Sequence, residues 1–217
     1  MLEAKQASSV WISLSDLMAV LMVIFLFISI GFFMDLQRDG RQIENRHKAL
    51  NAALRQEFLA DLERWSAEIT DDNIVRFDAP FAVGRAELSH EFEVILSEFF
   101  PRYLAVLSDA EFKNHLQEIR IEGHTSHYWA QASTPQEIYL NNMRLSQQRA
   151  TNVLDYVYQI DHPKVQEVNT WLERLLRANG MAYADPIYQD DGETQDPVRS
   201  RRVEFKVVTR DVFDHNE

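Results

Sequence analysis

The sequence predicts an α+β protein. A single N-terminal transmembrane helix leads into a juxtamembrane helix or coiled coil, and an α/β sandwich domain follows. Three observations carry this reading. Residues 17–28 (LMAVLMVIFLFI) are twelve apolar residues without a break. After them, apolar residues recur three, four and seven positions apart. From Asp71 onward, short alternating segments take turns with longer amphipathic ones, as strands and helices of one domain do.

Residues 1–10 form a polar leader that carries Lys5. The span itself runs from Trp11 to Phe33. At about 1.5 Å per residue it reaches roughly 34 Å, enough for a hydrocarbon core of about 30 Å. A cleaved signal peptide is the competing reading, but Gly31-Phe32-Phe33-Met34 supplies no small-x-small cleavage site. A retained helix fits better. Lys5 precedes the span, whereas Arg38, Arg41, Arg46 and Lys48 follow it. By charge alone the C-terminal part would be cytoplasmic, but long domains translocate largely regardless of this bias.

Residues 34–70 read as a juxtamembrane helix. Leu36, Ile43 and Leu50 lie seven apart, and Leu54, Phe58, Leu62, Trp65 and Ile69 continue the stripe. This predicts either a short coiled coil or one amphipathic helix lying on the next domain. The domain proper spans residues 71–210, with 211–217 as a polar tail. Ile74–Phe77 and Phe81–Val83 are predicted strands on either side of Pro80. Ser89 opens a helix through Phe100 with Glu91 and Glu93 in its first turns. Pro101 is expected to interrupt it before a second helical piece ending near His115. Ile119–Glu122 alternates as a half-buried strand. Met143–Gln159 and Val165–Ala178 are predicted helices, the latter closed by Asn179-Gly180 as a glycine cap. Val203–Val208 is the final strand.

Composition removes several functions. A net charge of -12 opposes a nucleic-acid footprint, and the absence of cysteine removes disulfides and thiolate metal sites. His124 and His127 have a ligand-like spacing but no third ligand at a recognisable interval. No nucleophile triad or glycine-rich phosphate loop is found, so neither an enzyme active site, a metal nor a cofactor is expected.

Three ordered blocks carry a binding signal: IEGHTS (Ile121–Ser126), NNMRLSQQRATNVLDYV (Asn141–Val157) and SRRVEFKVV (Ser200–Val208). A helix from about Met143 places Leu145 and Arg149 four apart on one face. Asn142 would stand at its entrance, where backbone donors are free. Arg149 offers a planar fork of donors suited to a carboxylate; its competing role is a structural salt bridge. In this order the blocks resemble the OmpA-like peptidoglycan-binding domain over residues 74–209. The resemblance implies a peptidoglycan site made of Thr125, Ser126, Asn141, Asn142, Leu145 and Arg149, with Arg149 on a diaminopimelate carboxylate. Two departures stand out. Ser126 replaces the family's aspartate, which meets the ligand's ammonium, and Asn141 replaces its usual tyrosine. The 129–139 loop also carries an insertion. The Arg201-Arg202 pair reads as structural.

Asp16 is the remaining puzzle. A carboxylate at the centre of a span costs about 2.5–3.5 kcal/mol on insertion scales, and Trp11, Ile12 and Leu14 continue the apolar segment past it. An interfacial helix cap is one reading. An intramembrane acid otherwise marks an ion pathway. The whole arrangement resembles the MotB-type stator subunits, and VWISLSDLMAVLMVIFLF is most similar to the ZorB family of the Zorya anti-phage defence systems. The resemblance implies that Asp16 is the ion-translocating residue, for H+ or Na+. It also implies a homodimer within a ring of MotA/ZorA-like membrane subunits, five around two. The leader would be cytoplasmic and the OmpA-like domain periplasmic, in the inner membrane. A flagellar stator subunit and a passive membrane-to-wall tether are the alternatives.

Overall fold

The computed structural model describes residues 2–78, 80–129 and 134–209, with the side chains of residues 2–16 and of Asp39 left outside the description. The chain divides into two units between Asn45 and Arg46. Helix α1 runs Leu2–Phe58. In the first unit Leu17, Leu21, Phe25, Phe27 and Phe32 are each more than half exposed. Among the described residues it is the one helix long and apolar enough to cross a membrane.

The second unit is a five-stranded sheet with helices against it. The elements are β1 (Ala67–Ile69), β2 (Ile74–Asp78), α2 (His90–Leu107), β3 (Leu116–Gly123), α3 (Pro135–Tyr158), α4 (Pro163–Glu167), α5 (Asn169–Leu175), β4 (Leu176–Gly180) and β5 (Arg202–Thr209). The strand order is β1-β2-β5-β3-β4, antiparallel except for the parallel β3–β4 pair. Strand alternation separates two faces. Val75, Phe77, Ile119, Ile121, Val203 and Phe205 are buried in the core. Arg76, Glu122 and Glu204 occupy the other face, paired across strands in register.

The core centres on Phe99 of α2. Its ring lies 5.1 Å from Phe58, 5.1 Å from Phe77, 5.0 Å from Phe205 and 4.9 Å from Tyr103. These tilted, edge-on and stacked contacts bury the rings against one another. This packing explains why Pro101 does not break α2, contrary to the sequence expectation. Phe99, Phe100, Tyr103, Leu104 and Leu107 are fully buried around it, which outweighs the roughly 3 kcal/mol that an internal proline costs.

Other expectations are corrected in the same way. The juxtamembrane helix does not reach Thr70: it ends at Phe58, and Ala67–Ile69 is an edge strand. Leu50, Leu54 and Phe58 are buried in the domain's own core, so the stripe beyond Ile43 is covered from within and is not a coiled-coil seam. Residues 81–83 form a turn instead of a strand. Helix α3 begins eight residues before Met143, at a capping box in which Thr134 and Glu137 exchange side-chain bonds with each other's backbone, followed by Pro135.

Asn179-Gly180 ends a strand and not a helix. Gly180 is register partner to Gly123, and both lie beneath α3. A Cβ on Gly123 would fall 2.3 Å from the Ser146 carbonyl oxygen, and one on Gly180 would fall 2.5 Å from the Gln147 nitrogen. The two glycines admit the helix backbone onto the sheet. Ser146 and Gln147 then fasten it: Ser146 Oγ accepts from Ala182 N at 2.9 Å, while Gln147 accepts from Gly180 N at 2.8 Å and donates to Ala178 O at 3.1 Å.

Leu54→Ala should destabilise the domain by about 2–5 kcal/mol, as measured by denaturant unfolding. A residue in a linker would leave the midpoint unchanged.

Candidate functional site

Four segments converge at the site: the end of β3 with its following turn, the middle of α3, the 81–88 loop between β2 and α2, and the 197–201 segment before β5. Arg149 joins the first three. Its side chain is buried, with the guanidinium 4.9 Å from the Phe81 ring centroid. Nε donates to Arg85 O at 2.8 Å, Nη2 to Ala82 O at 3.3 Å and Nη1 to His124 O at 3.4 Å. Asn152, one turn on, donates to Ala86 O at 2.7 Å. The expected salt-bridge alternative does not describe Arg149, whose partners among the described residues are backbone carbonyls. Burial pushes this guanidinium down to about 10, and the charge of Arg201 adds to the effect.

A cavity of about 740 Å³ opens here, lined by Thr125, Ser126, Asn142, Leu145 and Arg149 together with Val83, Gly84, Tyr128, Trp129, Pro197 and Arg201. Ligand sites fall in this size range. Five of the six residues picked from the motifs therefore meet in one place. Asn141 does not line the cavity; it is half-buried and accepts from Arg144 Nη1 at 3.4 Å. Asn142 is not at a helix entrance, because α3 starts at Pro135. It sits within the helix and donates to Ile138 O at 3.0 Å. Thr125 N donates to Ala182 O at 2.7 Å, while its buried Oγ1 has no partner among the described residues.

The sequence reading missed Arg201. Treating Arg201-Arg202 as one structural pair ignored that neighbours at a strand's start point to opposite sides. Arg202 is buried on the charged face and bonds Glu204 and Asp185, the latter at 3.0 Å. Arg201 lines the cavity.

No family model matches the sequence. The Zorya protein ZorB of Escherichia coli (strain Crooks) is 43% identical over 210 residues, covering 92% of this chain and 87% of that protein. This chain belongs to the ZorB family. A MotB-like protein from Desulfovibrio vulgaris shares the fold at a TM-score of 0.50 and 20% identity, over 81% of this chain and 98% of its own. The cell wall anchor of the T6SS from Pseudomonas aeruginosa aligns at a TM-score of 0.46 and 20% identity, over 72% of this chain and 97% of its own. The α+β architecture with one N-terminal apolar helix and an OmpA-like domain stands as the motifs implied.

In this ZorB-family chain the two histidines of the ligand-like spacing are not brought together as a pair. His127 is exposed with its ring 4.6 Å from that of Tyr183, whereas His124 is buried. Glu122, His124 and Glu204 are the described trio close enough to hold a metal ion. Positive charge is already present there: Arg76 and Arg202 both donate to Glu204 Oε1, and His124 Nε2 lies 3.5 Å from Oε2. Burial opposes ionisation of Glu204, yet the His124 contact and the Arg202 charge outweigh it and hold the carboxyl below the usual range. The backbone of Asp16 belongs to α1, and its side chain lies outside the described residues.

A depressed glutamate stabilises the fold above its unfolded pKa of about 4.3, and this stabilisation is lost as pH falls toward the folded value. Glu204→Gln takes the shared carboxylate from the buried Arg202 and the half-buried Arg76, which keep Asp185 and Glu68 as remaining partners, so it should cost up to about 3–5 kcal/mol at neutral pH. Chemical denaturation across pH 3–7 should show a flatter acid slope for the variant than for the native chain.

Proposed function

We propose that this chain is the wall-anchored, stator-like subunit of a Zorya-type membrane motor in anti-phage defence. The observation that carries the reading is 43% identity to a ZorB protein across 92% of the chain. The cavity supports it from the other end: a buried guanidinium with donors to spare, Thr125, whose Oγ1 has no partner among the described residues, and Asn142 line one opening suited to an acidic ligand. In this reading the OmpA-like domain grips peptidoglycan in the periplasm. The N-terminus is cytoplasmic, and α1 crosses the inner membrane once.

Asp16 is the ion site. Alternation between its neutral and charged forms changes which contacts with a surrounding ring are favoured, and a ligand with different affinity for two states shifts the balance between them. The membrane potential supplies about 2.3 kcal/mol per charge per 100 mV. Two copies of the chain stand inside a ring of five MotA/ZorA-like subunits, and the wall anchor holds them still while the ring moves. The ion is H+. A flagellar stator subunit would use the same physics with another partner, and a passive tether would not need Asp16.

Asp16→Asn should abolish protection from phage in a plaque assay while expression, assembly and sedimentation with purified peptidoglycan stay intact. Protection at the native level would remove the motor reading. Arg149→Ala should lose sedimentation with purified peptidoglycan and keep the native circular dichroism spectrum. Unchanged sedimentation would take Arg149 out of the ligand site.

A further inference from the structure

The charge of the cavity is one-sided. Two guanidinium groups, those of Arg149 and Arg201, line it, and among the described residues no carboxylate does. Ser126, buried in the wall, stands where the OmpA-like motif carries its aspartate. An arginine has five N–H donors, and Arg149 uses three of them on carbonyl groups. Two remain for a ligand. No hydrogen bond or ion pair holds the Arg201 side chain among the described residues. Thr125 lines the same cavity, and its buried Oγ1 has no partner among the described residues.

Like charges gathered in a partly dry wall repel each other, and a buried charge without a counter-charge is unfavourable. A ligand that relieves both arginines carries more than one negative charge. A ligand ammonium would meet two cations and find no acid to offset them. The serine hydroxyl can accept a hydrogen bond from it but contributes no charge.

We propose that the cavity reads its ligand as a pair of carboxylates, one on the free donors of Arg149 with Thr125 Oγ1 and one on Arg201, without recognising an adjoining ammonium. This rests on the cavity being the ligand site of the wall anchor, and it names what that site selects. The chemical class is a short flexible dicarboxylate, such as the acidic end of a peptide. Arg201 is the specificity-determining residue and Arg149 the shared anchor.

Calorimetry on the full chain in detergent micelles tests this with three probes. Pimelate has two carboxylates and no amine; 2,6-diaminopimelate adds an ammonium beside each carboxylate; hexanoate has one carboxylate. Pimelate should bind at least about tenfold more tightly than either of the others, a difference of about 1.4 kcal/mol. Arg201→Gln should bring pimelate down to the hexanoate level while leaving hexanoate within about twofold. Arg201→Lys should recover part of the preference. Diaminopimelate binding as tightly as pimelate would overturn the proposal. So would equal weakening of pimelate and hexanoate by Arg201→Gln, or no heat from pimelate with the native chain. Sedimentation with purified peptidoglycan separates the two readings. A chain that binds pimelate but does not sediment keeps the dicarboxylate site and loses the wall anchor. One that sediments but prefers diaminopimelate does the reverse.

Discussion

The cavity depends on one buried cation, Arg149, whose partners among the described residues are carbonyl oxygens instead of a carboxylate. Arg149 draws three backbone carbonyls from two separate segments onto one planar group. Those carbonyls and those N–H groups would each be costly to bury alone. The arrangement therefore holds the 81–88 loop against α3 and closes one wall of the cavity. It also leaves two of the five guanidinium N–H groups without a partner among the described residues. Burial first, and then the charge of Arg201, makes the same guanidinium less basic.

That reach is possible because α3 sits unusually low on the sheet. Gly123 and Gly180, paired across β3 and β4, leave no side chain beneath Ser146 and Gln147. Any larger residue there would lift the helix and draw Arg149 away from the loop. Two glycines, a serine, a glutamine and an arginine thus form one causal chain from sheet to cavity. The Leu-Ser-Gln-Gln-Arg segment of α3 fastens the helix to the sheet.

Much of this was legible in the sequence where local signals and tertiary demands agree. The strands at Ile74, Ile119 and Val203 alternate as their faces require, and Ser89 caps α2 as expected. Five cavity residues were legible because the motif blocks fall on elements that converge. The misses have physical causes. Gly180 looks like a helix cap because close approach of another backbone leaves no local mark. Pro101 looks like a break because the aromatic packing that overrides it comes from Phe58, Phe77 and Phe205, far away in sequence. The start of α3 has a local signal, Thr134-Pro135 with Glu137, that lies outside the motif blocks. Arg201 and Arg202 were read together because they are adjacent, yet a strand sends adjacent side chains to different places.

The last turns of α1 have a mechanical meaning. Leu50, Leu54 and Phe58 are interlocked with the aromatic core, and β1 pairs with β2 soon after them. A domain secured this way has no slack leash on its N-terminal side. Tension arriving at Arg46 would load those side chains in shear, many contacts at once, instead of peeling a strand from the sheet edge one hydrogen bond at a time. The domain would take up such force at its centre.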